Sequence, residues 1–165
     1  LSTVMSNSEI QNLREYLGMS RTECATYLGL KSAEDLVLLE NGNTDIHSRH
    51  RETLARLDSI IETAVLTEVD LFTQHSEQDI VLIRFLNDDE FALYEPELFE
   101  DLGFVSVHET FINRTKLAIE RIGGDVTVAF MDSEFYEAWL GVNDFDDSLE
   151  LRVSWARQQI RGLAK

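Results

Sequence analysis

The sequence predicts a mainly α protein with a small α+β portion, and three observations carry that prediction. One proline and eight glycines in 165 residues, beside many Leu, Glu and Ala, favour helix. Apolar residues recur three and four apart through most of the first 75 positions, the spacing of a buried helical face. Only two short runs, "DIVLIRF" (79–85) and "DVTVAFM" (125–131), have the β-branched texture of strands. With 44% hydrophobic and 27% charged residues the chain reads as globular, long enough for one ordinary domain or two small ones sharing a core.

The elements follow in order. Ile10, Leu13 and Leu17 make one face of a first helix, which Gly18 ends. Ser20 precedes Glu23 by three, a capping-box spacing in which each side chain satisfies a free amide at a helix start. Cys24, Ala25 and Leu28 form the apolar stripe of this second helix, and Gly29 closes it. Ser32 and Asp35 open a third helix that buries Leu36 and Leu39, with Gly42 placed for a left-handed cap. After Asp45 the stripe Leu54, Leu57, Ile61, Val65, Val69, Phe72 predicts one long helix over 46–75, its first half closing the small helical core and its second half leading onward.

The first strand is followed by "DDEFALYEPELFEDLG" (88–103), helical with a break near Pro96, since proline disfavours helix in the residue before it. Ser106 and Glu109 suggest another capping box, opening a helix to about Ile122 that stops at Gly123-Gly124. The second strand comes next, then short helices over 133–140 and 148–163. The expected division is a helical unit over 1–77 and an acidic α/β lobe over 78–165. Two strands alone make a poor sheet, so they should pair and pack on helices, or extend across a dimer. Phe85, Phe91, Tyr94, Phe99, Phe104, Phe111, Phe130, Phe135, Tyr136 and Trp139 are expected to form mostly the core of this lobe, with a surplus for a dimer face.

Charge divides the chain unevenly. The formal net charge is −17, yet residues 1–58 hold six Lys/Arg against nine Asp/Glu, a net of −3. The remaining −14 belongs to residues 59–165. No apolar run approaches the roughly 20 residues that span a bilayer, and no charged-then-apolar leader opens the sequence. Met5 reads as the usual start, with four residues before it. Cys24 is the only cysteine, which excludes an intrachain disulfide and suits a reducing cytoplasm.

Chemistry-bearing patterns are few. "HSRH" (47–50) spaces two histidines for a metal, but no cysteine is near, and histidines at a helix start beside Asp45 are the simpler reading. "NDFDDSLE" (143–150) lacks the glycine and terminal glutamate of a calcium loop and reads as a helix start capped by Asp146 or Asp147. Acid pairs such as Asp88-Asp89 and Glu100-Asp101 arise by chance among thirty-one carboxylates. No nucleophile triad or phosphate-cradling glycine pattern is present. The expectation is a non-enzymatic protein with neither cofactor nor metal.

One stretch carries more. "LREYLGMSRTECATYLGL…LLENG" (13–42) resembles the XRE-type helix-turn-helix family, typified by lambda repressor and Cro, over roughly residues 8–60. One extra residue between Gly29 and Glu40, with the "ECAT" string, is similar to the YdiL-like subgroup; residues 78–165 resemble uncharacterised proteobacterial proteins only weakly. The resemblance implies a lambda-repressor-like N-terminal fold and a homodimer on double-stranded DNA. Arg14 and Glu40 match the family's structural ion pair. Arg21 stands where the family often has a phosphate-holding glutamine, and with Lys31, Arg49 and Arg51 it would hold phosphates. Lys31, Ser32, Ala33, Glu34, Val37 and Leu38 match the turn and exposed face of the recognition helix, and Asn41 and Asn43 the loop after it.

The departure lies in that helix. Major-groove readers use Arg, Gln, Asn or Ser, whereas this helix presents Ala33, Glu34, Asp35, Val37 and Leu38. Two readings therefore stand. Ser32, Ala33 and Glu34 read or exclude bases in a DNA-binding regulator; or Val37 and Leu38 meet a protein partner in a module that has lost DNA, including a DNA mimic built on the acidic half.

Overall fold

The computed structural model describes residues 7–44, 48–75 and 79–163. Three short helices come first, each ended by its own neighbours. Helix α1 (Asn7–Leu17) buries Ile10, Arg14 and Leu17. Helix α2 (Arg21–Tyr27) opens on a complete capping box: Ser20 Oγ accepts from the Glu23 amide at 3.1 Å, and Glu23 Oε1 accepts from the Ser20 amide at 2.9 Å. Helix α3 (Ala33–Glu40) is capped by Ser32 Oγ accepting from the Asp35 amide, and buries Leu36 and Leu39. Helix α4 (Ser48–Gln74) then runs 27 residues, about 40 Å at a helical rise. Its stripe of Leu54, Leu57, Ile61, Val65 and Phe72 is buried along that length, so one helix serves both halves of the core.

Strand β1 (Ile80–Arg84) leads into α5 (Asp88–Tyr94), α6 (Pro96–Leu102) and α7 (Val105–Arg121), and β2 (Val126–Phe130) returns parallel to β1. The register pairs Ile80 with Val126 and Leu82 with Val128. Pro96 takes the first position of α6, where its missing amide costs nothing, and Glu95 before it leaves the helical region. Helices α8 (Ser133–Asn143) and α9 (Leu149–Leu163) complete the described chain, and α9 packs on β1. The result is mainly helical, with a two-stranded parallel sheet.

A single hydrophobic cluster runs from Ile10 through α4 to Trp155. Helix α7 ties the halves: Thr110 Oγ1 donates to the Leu17 carbonyl at 3.0 Å, Ser106 Oγ donates to the Glu23 carboxylate at 3.0 Å, and Arg114 pairs with Asp58 at 3.0 Å. Gly18 makes this approach possible. Its φ is +87°, and a Cβ there would lie 2.9 Å from the Ser106 carbonyl oxygen. Gly124 plays the same part on the other side, where a Cβ would meet Phe72 of α4 at 2.8 Å.

Two expectations need correction. Helix α7 does not open on a Ser106–Glu109 box: it begins at Val105, and the Asp88 carboxylate accepts from the Val105 amide at 2.7 Å, which leaves Ser106 for Glu23. Helix α9 is capped by Ser148, whose Oγ accepts from the Leu151 amide, because Asp147 is drawn away to Tyr136 and Arg152. The aromatics follow the expectation of a core with a surplus: most are buried or half-buried, Phe130 and Phe135 are exposed, and Phe130 lies under the Arg84 guanidinium at 4.7 Å. Met5, Asp45 and His47 lie outside the described residues.

Candidate nucleic-acid interface

The centre of the α1–α3 unit is one carboxylate with two arginines. Glu40 closes α3 with its side chain almost fully buried, and its Oε1 accepts from Arg14 Nε at 2.6 Å. Arg14, also buried, donates through Nη1 to the Met19 carbonyl, fixing the turn between α1 and α2. Arg21, the first residue of α2, reaches the other oxygen of Glu40 through Nε at 3.3 Å. Two guanidinium neighbours offset the cost of burying that carboxylate.

This geometry amends the role expected of Arg21. Its side chain reaches Glu40 yet stays 52% exposed. Nε is the nitrogen engaged with Glu40, which leaves the two terminal nitrogens of the fork as further donors. Arg21 is thus a positioned cation, not a free one. Sequence reasoning named Arg21 but missed its contact with Glu40; a buried acid offers two oxygens and needs more than one donor.

The other predicted residues are placed as follows. Lys31 is exposed in the turn between α2 and α3, and Arg49 is exposed at the start of α4; no ion pair holds either side chain among the described residues. Arg51 is half-buried. Ser32 and Ala33 are half-buried, and the Ser32 oxygen is occupied by its capping bond. On α3 the outward residues are Glu34 and Leu38, the latter 43% exposed, while Val37 is half-buried. Asn41 caps the end of α3, and Asn43 follows it; both are exposed. Cys24 sits behind this face, buried, its thiol pushed up to about 12 by burial, with Arg14 opposing and Glu40 adding. It is therefore a neutral packing residue and not a nucleophile.

With that geometry in hand, the comparison with known families is direct. A family model described as a domain of unknown function, DUF4447, matches residues 2–160. The chain belongs to the DUF4447 family. The DUF4447 match covers both the capped helical third and the α/β half. No curated protein matches the chain.

Elsewhere in this DUF4447 chain, several polar groups are buried within the fold. Arg152 is buried on α9, donating to the Tyr94 carbonyl at 2.7 Å and pairing with Asp147 at 3.0 Å. Burial and the neighbouring Glu137 and Asp147 carboxylates keep the Tyr94 and Tyr136 phenols protonated far above their ordinary range. His108 is buried against Phe85, Phe91 and Phe111, which holds its imidazole down to about 4, neutral at pH 7. His50 is buried on α4. Among the described residues, no group of three His, Cys, Asp or Glu is placed to hold a metal ion, and no helix is long and apolar enough to cross a membrane.

Proposed function

We propose that this DUF4447 protein is a cytoplasmic, homodimeric, non-enzymatic regulator that binds double-stranded DNA through α2 and α3, used as an XRE-type helix-turn-helix. The observation that carries the reading is the locked junction at Glu40, which holds α2 against α3 and presents the fork of Arg21, while Glu34, Leu38, Asn41 and Lys31 remain exposed. In this reading Arg21, Lys31, Arg49 and Arg51 hold phosphates, and Ser32, Ala33 and Glu34 set base preference, with Glu34 accepting from a cytosine amino group. Four cations per subunit become eight in a dimer, within the roughly 6–10 phosphate contacts of tight binders. The acid of residues 59–165 repels DNA from the far half and so favours approach by the α2–α3 side.

Selection from sheared genomic DNA at about 50 and 200 mM salt tests this, because phosphate-driven binding falls steeply across that range. One inverted repeat should be enriched, with half-sites about 34 Å apart, and Arg21→Ala and Lys31→Ala should each weaken it. Absence of any enriched sequence at both salts would end the reading. Leu38 favours a second reading, a protein partner seated on α3, since an exposed leucine contributes little to base recognition beyond a thymine methyl. In that case Leu38→Ser abolishes partner binding while Lys31→Ala leaves it intact.

A further inference from the structure

We propose that the groove between the end of α4, the start of β1 and the outer face of α9 binds a small amphiphilic anion, a carboxylate or phosphate on an apolar body, held by Arg157 and Arg161. Two adjoining cavities of about 280 and 190 Å³ share Asp79, Val81 and Arg157. The larger is lined also by Thr127, Ile160 and Arg161. The two arginines stand four apart on one helix face, where like charges destabilise the helix. Carboxylates outnumber cations thirty-one to fourteen in this chain, so a partner acid would be easy to supply. Yet among the described residues neither guanidinium is ion-paired, whereas Arg152 on the same helix pairs with both Glu95 and Asp147.

The rest of the groove specifies what the anion is attached to. Arg157 Nη2 donates to the Asp79 carbonyl at 2.8 Å, which fixes its fork at the rim and leaves other donors available. Val81 and Ile160 are half-buried and give the floor apolar surface. A planar carboxylate or a phosphate matches the two-pronged guanidinium, and an apolar ring or short chain covers the floor. The cavity scale suits one ring. None of this depends on DNA binding, so either reading can fail alone.

Amide NMR of the full chain, titrated with benzoate and with phenyl phosphate, is the test, with benzyl alcohol and inorganic phosphate as the uncharged and the bodiless controls. Saturable shifts are expected at Val81, Thr127 and Ile160, in the millimolar range for such fragments. Arg161→Ala should weaken binding about tenfold or more, Arg161→Lys less, and both controls should bind about tenfold more weakly than the matching anion. Stronger binding of benzoate assigns a carboxylate ligand, and of phenyl phosphate a phosphate ligand. Arg161 is exposed, so both variants should keep the parent's amide dispersion and melt no lower than it does. The proposal is overturned if neither anion gives saturable shifts at those residues, if Arg161→Ala binds as well as the parent, or if a control binds as well as its anion.

Discussion

The α1–α3 unit and the α/β half solve the same problem, unpaired amides and buried charge, over different distances. In the first, Ser20 with Glu23 and Ser32 with Asp35 satisfy helix starts across three residues. In the second, α5, α8 and α9 also carry local caps, but the longest helix, α7, takes its cap from Asp88, 17 residues upstream. Its buried Arg152 binds the Tyr94 carbonyl 58 residues away. The helical third therefore closes its own helix starts locally, and the α/β half relies more on contacts between distant residues.

Buried charge gives the largest test of that contrast. Glu40→Ala leaves Arg14 buried without its acid and should cost about 3–5 kcal/mol. Arg152→Ala should cost less, about 1–3 kcal/mol, because Glu95 and Asp147 keep roughly a third of their side chains exposed and water can replace the arginine. Urea midpoints of both variants measure this. Equal losses would show that the two halves depend alike on buried charge, and a larger one for Arg152→Ala that the far half is the more tightly charged.

Acid sensitivity should belong to the α/β half. His108 binds a proton near 6.5 in the unfolded chain but only near 4 in the folded one. Between those values the unfolded state holds more protons, so stability falls as pH is lowered, by up to about 3 kcal/mol. Burial raises Glu68 and Glu95, and their effect has the opposite sign: they withdraw stability as pH rises through the carboxylate range, flattening the slope near its acid end. Cys24 titrates too high to matter here. His108→Phe should remove most of the loss between pH 6.5 and 5; an unchanged slope would place the sensitivity elsewhere.

The joint between the regions is tested at Gly18. Alanine there strains a backbone at φ +87° by about 1–2 kcal/mol and sets a methyl against the Ser106 carbonyl oxygen. Melting should drop, and amide exchange should quicken at the start of α7 as well as at the end of α1. Protection lost from α1 alone would mean the halves are joined through α4 and not here.

The same contrast explains what was legible in the sequence. Elements were readable wherever the pattern and its partner lie within a turn or two: the α2 box, the α4 stripe, the Pro96 break, the two strands. Ser106 and Asp147 misled because each has a nearby amide to cap but makes a stronger contact with a residue that only folding brings close. Which aromatics would be the exposed surplus was not legible: alternation marks β2 as half-buried without saying which face leaves Phe130 outside, and Phe135 lies on the exposed side of α8. At the candidate site, Arg14 with Glu40 came from resemblance, whereas the hold of Glu40 on Arg21 required the coordinates.

The smallest effect is the most discriminating one. Ser20→Ala removes a local cap and should cost about 1 kcal/mol, and Asp88→Ala removes a distant one for about 1–2 kcal/mol, since a carboxylate makes the stronger bond. Amide exchange would tell the two apart: Ser20→Ala should release the first turn of α2, and Asp88→Ala the first turn of α7. Their losses should nearly add, but not fully, because Ser106 links Glu23 to α7 and transmits part of each change. Adding Ser106→Ala should restore additivity. If the two single variants already add without it, the Ser106–Glu23 bond carries no coupling, and the helical third is even more independent than its geometry suggests.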